Sequence, residues 1–79
     1  MARFRDDVML LEVTPALVAA YEAVKAGEVP VGASAKRRLR LMGLAEWDRR
    51  SRRWVCLWDG WRPVVGSLVA VRRPGFDDD

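Results

Sequence analysis

The chain has no histidine, one cysteine and no apolar run near the 18 residues a bilayer span would need. Without histidine, a His-based zinc site or catalytic triad is excluded. A lone Cys56 closes no internal disulfide, which points to folding in a reducing compartment such as the cytoplasm. Glycine-rich phosphate loops and metal-ligand spacings are missing too, so no cofactor or metal is expected. Residues 1–7 carry charges with no long apolar core behind them and do not read as a signal peptide. No membrane partner is expected. Nothing in this inventory supplies a positioned nucleophile, base or metal, and the sequence reads as non-enzymatic. Cys56 sits in an apolar stretch and reads as a small core residue. Glu46 and Asp48, two apart beside arginines, read as salt-bridge partners rather than an acid/base pair.

What is present is apolar mass and unevenly placed charge. Seventy-nine residues make one domain, with residues 1–7 and 74–79 expected as flexible ends. Hydrophobic residues are 51% of the chain and four are Trp, enough large side-chain area for a small fold without staples. Net charge is only +3. Between positions 34 and 53, however, eight bases (Lys36, Arg37, Arg38, Arg40, Arg49, Arg50, Arg52, Arg53) face two acids (Glu46, Asp48), a local +6 against −3 elsewhere. Seven of the eight are Arg, whose planar fork can donate two parallel hydrogen bonds to phosphate.

Patterning divides the chain into short elements. Residues 8–13 form an apolar run that suits an extended arm, an edge strand or a contact surface for a second copy. Thr14 as N-cap and Pro15 at the first helical position open a helix, with Val13 and Val18 placed for a hydrophobic staple. Leu17, Ala20, Tyr21 and Val24 then share one face, and Gly27 ends the helix. Residues 28–33, broken by Pro30 and Gly32, fit a loop or a short edge strand. A basic helix follows over residues 34–42, with Ser34 as N-cap, or Ala33 already helical, and Gly43 as its stop. Ala35, Leu39 and Met42 fall on one side, Lys36, Arg37 and Arg40 on the other, with Arg38 and Leu41 on the flanks. Four bases in five positions repel one another unless a polyanion compensates them.

A two-stranded ribbon is expected next, over residues 45–49 and 53–58, with Arg49, Arg50, Ser51, Arg52 and Arg53 at its tip. Alternation puts Trp54, Cys56 and Trp58 on one face and Val55 and Leu57 on the other; both faces are apolar, and either suits the core. Asp59 reads as the N-cap of a last helix over residues 60–71, with Trp61, Val64, Val65 and Leu68 as its stripe and Arg72 and Arg73 at its C-terminal end. Pro74-Gly75 would end it, ahead of an acidic tail.

The stretch Leu39-Arg40-Leu41-Met42-Gly43-Leu44-Ala45-Glu46 resembles the end of a recognition helix entering the wing of a compact winged-helix domain of bacterial or phage type. Trp58-Asp59-Gly60-Trp61-Arg62 and the opening Thr14-Pro15-Ala16-Leu17 are similar to that family as well. The resemblance spans residues 13–70. It implies an α+β fold of about three helices packed with a β-hairpin wing, and a winged helix-turn-helix binding double-stranded DNA in transcription regulation. The basic helix would lie in the major groove with the wing on the backbone or in the minor groove. Lys36, Arg37 and Arg40 would then stand nearest the DNA and Arg38 next, with Arg49, Arg50, Arg52 and Arg53 on phosphate or in the minor groove. A homodimer reading two half-sites is the corresponding assembly. The helix has no Asn or Gln to read adenine, so non-specific binding is part of the same expectation.

A second expectation is a protein-interaction module, a phage protein docking on host machinery or an assembly component. Its basic face would meet an acidic protein surface, with exposed Trp as anchors. Four Trp within positions 47–61 favour this reading. Trp stacking on unpaired RNA bases ranks third, since no known RNA-binding signature is present.

Overall fold

The computed structural model describes residues 8–72. Two helices and four strands follow in the order β1 (Val8–Glu12), α1 (Pro15–Lys25), α2 (Ala33–Leu41), β2 (Ala45–Asp48), β3 (Arg53–Cys56) and β4 (Leu68–Arg72). The strands make two separate two-stranded antiparallel sheets, β1 with β4 and β2 with β3. The result is a small α+β fold. The flexible ends expected at 1–7 and 74–79, Arg73 at a helix end and the stop at Pro74-Gly75 lie outside the described residues.

Helix α1 begins as its sequence dictates. The Thr14 hydroxyl accepts the Leu17 N–H at 3.1 Å, and Pro15 takes the first helical position. Leu17, Ala20, Tyr21 and Val24 are buried in one stripe, while Glu22 and Lys25 face solvent. Val13 lies in the core and Val18 packs against it, as the staple requires.

Both helices end in the same way. At α2, Gly43 (φ 71°) turns left-handed, its N–H donates to the Arg40 carbonyl at 3.1 Å, and the Leu44 N–H donates to the Leu39 carbonyl at 2.9 Å. This is a Schellman turn, with Leu39 and Leu44 both fully buried across it. At α1, Gly27 and Glu28 repeat the pattern onto the Val24 and Ala23 carbonyls. Helix α2 starts at Ala33, with Gly32 as the cap position and no side-chain cap. Ser34 is therefore inside the helix, where its hydroxyl accepts from the Arg38 guanidinium one turn on. Residues 28–32 form a loop rather than an edge strand; Pro30 is buried in it, and Val29 and Val31 point outward.

The core is the cluster Val13, Leu17, Ala20, Tyr21, Val24, Ala35, Leu39, Leu44 and Ala45. Burying a side chain such as Leu39 or Leu44 contributes about 1.5–3 kcal/mol each. The hairpin β2–β3 presents Ala45, Cys56 and Trp54 to this cluster, which decides the face that alternation alone left open. The Leu57 and Trp58 N–H groups both donate to the Leu44 carbonyl, at 2.8 and 3.3 Å, and tie the hairpin root to the end of α2. Strand pairing stops at Asp48 and Cys56, so Arg49, Leu57 and Trp58, expected within the ribbon, lie outside it.

The third helix, expected over residues 60–71, is a correction: the described residues hold two helices, and this stretch is irregular until β4. Pro63 and Gly66 break it, and Val64, Val65, Val69 and Val71 prefer extended backbone. Its amides are also claimed elsewhere. The Trp61 N–H donates to the Tyr21 hydroxyl at 3.3 Å, and the Gly66 N–H donates to the Val13 carbonyl at 2.8 Å. Of the expected stripe only Trp61 packs on the core; Val64, Val65 and Leu68 are each more than half exposed. Asp59 sits in a turn, not at a helix cap.

Candidate nucleic-acid interface

The amphipathicity of α2 sets the first half of the site. Ala35 and Leu39 are buried against the core, which forces Arg37 and Arg40 into solvent on the opposite side. Lys36 and Arg38 lie on the flanks and are half-buried. Arg38 is turned back along the helix: its Nη1 donates to the Ser34 hydroxyl, and its Nε is covered with no partner. Of the four helix bases, then, the structure presents Arg37 and Arg40 freely. A cleft of about 350 Å³, lined by Leu11, Ala33, Ser34, Arg37 and Arg38, opens beside the first turn.

The second half is the hairpin tip, residues 49–52, flanked by Arg53. Asp48 builds this turn. Its carboxylate accepts from the Ser51 hydroxyl at 2.6 Å and from the Arg50 N–H at 3.4 Å, and its carbonyl accepts the Arg52 N–H at 2.8 Å. Arg52 takes a left-handed φ of 56° to close the loop. The hydrogen bond from Ser51 is the main cause holding the Asp48 carboxyl below its ordinary value; desolvation opposes it, and the Arg50 and Ser51 backbone N–H donors and the nearby Arg53 charge add to the lowering. The expected salt bridge from Asp48 to an arginine is thus replaced by a turn, and the acid is used up inside the loop. Arg49, Arg50, Arg52 and Arg53 are all exposed. Among the described residues no ion pair occupies the side chains of Arg37, Arg40, Arg49, Arg50 or Arg52.

Helix and tip are joined through Gly43, Leu44 and Ala45, and α2 packs on β2. From Ala45 to Asp48 the strand runs about 10 Å, so the tip stands that far beyond the helix–strand junction. Trp47 lies cross-strand from Trp54 on the core-facing side, but near the tip the core has ended and Trp47 is 46% exposed. The register that places it there was available from the sequence once a four-residue turn at 49–52 is recognised.

Tyr21 had no such signal. Periodicity places it in the core, but its hydroxyl also donates to the Trp58 carbonyl at 2.7 Å. Its ring meets Trp61 edge-on at 5.0 Å, and the Lys25 ammonium sits 5.1 Å above it. Tyr21 therefore fixes the path of the chain between the hairpin and β4.

Among the described residues no group of three or more His, Cys, Asp or Glu side chains could hold a metal, and no helix is long and apolar enough to cross a membrane. No family model, curated protein or solved structure matches this chain.

Proposed function

We propose that this chain is a small DNA-binding protein of winged-helix type, of the kind that serves as a bacterial or phage regulator. One observation carries the reading. Arg37 and Arg40 stand free on the outer face of α2, and one Schellman turn leads from that helix into a hairpin with four exposed arginines at its tip. Unpaired guanidinium groups on two joined elements suit the phosphates of a duplex. The reach of about 10 Å from the helix junction to the tip compares with a major groove about 12 Å wide, so α2 would enter the groove while the tip meets the flanking backbone. In this arrangement Arg37 and Arg40 lie nearest the bases, Lys36 and Arg38 at the groove edges, and Arg49, Arg50, Arg52 and Arg53 on phosphate. Loop 28–32 stands where the family has a supporting helix; here α1 braces α2 directly.

Titration of Trp fluorescence with a random-sequence duplex of about 20 base pairs, at several salt concentrations, tests this. If five bases neutralise phosphates, log K falls with log salt at a slope of about −4 to −5. The variant Arg37→Ala/Arg40→Ala weakens binding and flattens the slope by about 2. Absence of binding at low salt would falsify the proposal.

The exposed Trp47, Leu57 and Trp58 favour a second reading, in which the same basic face docks on an acidic protein with Trp anchors. Tight protein binding with little salt dependence would select it.

A further inference from the structure

We propose that the outward face of the β1–β4 ribbon is a docking surface for a second copy of this chain, packed face to face about a two-fold axis running across the strands. This goes beyond the nucleic-acid reading and does not rest on it.

The ribbon has two unlike faces. Leu11, Val13 and Val69 point inward and meet the core, while Leu10, Glu12, Leu68, Ala70 and Arg72 alternate outward. Leu10 and Leu68 are 61% and 62% exposed. A two-stranded sheet with one apolar face in water is marginal, and covering that face stabilises it.

The charge pattern identifies the occupant. In the observed register Leu10 faces Ala70 at the centre of the outward face. Glu12 lies beside Leu68 at one end, and Arg72 lies beside Val8 at the other. The face is therefore apolar in the middle, acidic at one end and basic at the other. A two-fold axis across the strands stacks Leu10 on Leu10 and brings the Glu12 end of each copy over the Arg72 end of its mate, forming two equivalent ion pairs. The alternative two-fold, along the strands, sets Glu12 ends together and Arg72 ends together, which like-charge repulsion opposes. At the usual sheet spacing of about 10 Å, Arg and Glu side chains from opposing faces can meet. A face complementary to itself in both apolar position and charge fits a second copy better than an unrelated partner.

The test is sedimentation equilibrium of the full chain, without nucleic acid, from micromolar to millimolar concentration. The expected result is a concentration-dependent species of twice 9.0 kDa. Leu10→Asp weakens association about a hundredfold by burying an unpaired charge. Glu12→Arg and Arg72→Glu each weaken it about tenfold, since each makes both ends alike. An equimolar mixture of those two variants associates more tightly than either alone, and the double variant Glu12→Arg/Arg72→Glu recovers self-association. All three positions are solvent-exposed; circular dichroism checks that each variant folds, and the charge-swap mixture decides the matter if Leu10→Asp does not. A 9.0 kDa species at every concentration overturns the proposal. So does a mixture no tighter than its components.

Discussion

The hairpin β2–β3 and the ribbon β1–β4 are both two-stranded and antiparallel, yet they arise in opposite ways. The hairpin closes over four residues, and its turn is built by Asp48 and Ser51 within the loop itself. The ribbon joins Val8 to Arg72, the two ends of the described chain, with both helices and the hairpin lying between its strands in sequence. The first is set by local turn chemistry, the second by tertiary contacts such as Val13 on Ser67 and Gly66. Their surfaces differ in the same sense. The hairpin ends in cations that discourage edge pairing, whereas the ribbon presents an apolar face with opposite charges at its two ends.

The contrast can be tested by perturbing one sheet at a time. The largest effect is expected for Leu44→Ala, which opens a cavity at the root of the hairpin and costs about 2–5 kcal/mol. In a chain this small that is a large share of the total stability, and thermal melting followed by circular dichroism reads it directly. If the midpoint hardly moves, the hairpin is not anchored through this side chain.

Tyr21→Phe is expected to cost about 1–3 kcal/mol, because the Trp58 carbonyl and the Trp61 N–H lose their shared partner. Its signature is asymmetric. Amide exchange should speed up in β4 and β1, which depend on the path of residues 58–67, and change little in β2 and β3. Equal acceleration in both sheets would show that they unfold as one unit and would remove the distinction drawn above.

The smallest effect is confined to the tip. Asp48 has a carboxyl held below its ordinary value, so its contribution is fully present above the unfolded-state pKa and is lost as pH falls through the lower folded value. The Arg50 and Ser51 amide resonances should therefore titrate with a midpoint below the usual Asp range of about 3.9, while the β1–β4 amides do not report that event. A midpoint at or above that value contradicts the turn geometry.

How far the sequence could be read follows the same division. Thr14-Pro15, Gly27 and Gly43 mark helix boundaries because caps and left-handed stops are local chemistry, and α1 and the end of α2 are where these residues put them. Ser34 misleads because a serine can cap a helix or bond within it; here Arg38 one turn on engages its hydroxyl. Residues 60–71 mislead more seriously. Trp61, Val64, Val65 and Leu68 have helical spacing, but Pro63, Gly66 and the valines oppose a helix. The open edge of β1 and the Tyr21 hydroxyl supply partners that no local window contains.

Of the eight candidate bases, the sequence identified the run and its two carriers, but not their availability. Charge clustering is a property of composition, whereas exposure depends on which face the core takes; Arg38 lies back on Ser34 while Arg37 and Arg40 stand clear.

By itself, then, the sequence determined both helices, the basic hairpin and the concentration of positive charge between positions 34 and 53, since each depends on residues close together in the chain. Tertiary structure alone decided that the last segment becomes a strand, that Trp54 and Cys56 face inward, and that Glu12 and Arg72 mark opposite ends of one apolar face. Each of these depends on backbone and side-chain partners far away in the chain, and such pairings leave no periodic trace in the segments that form them.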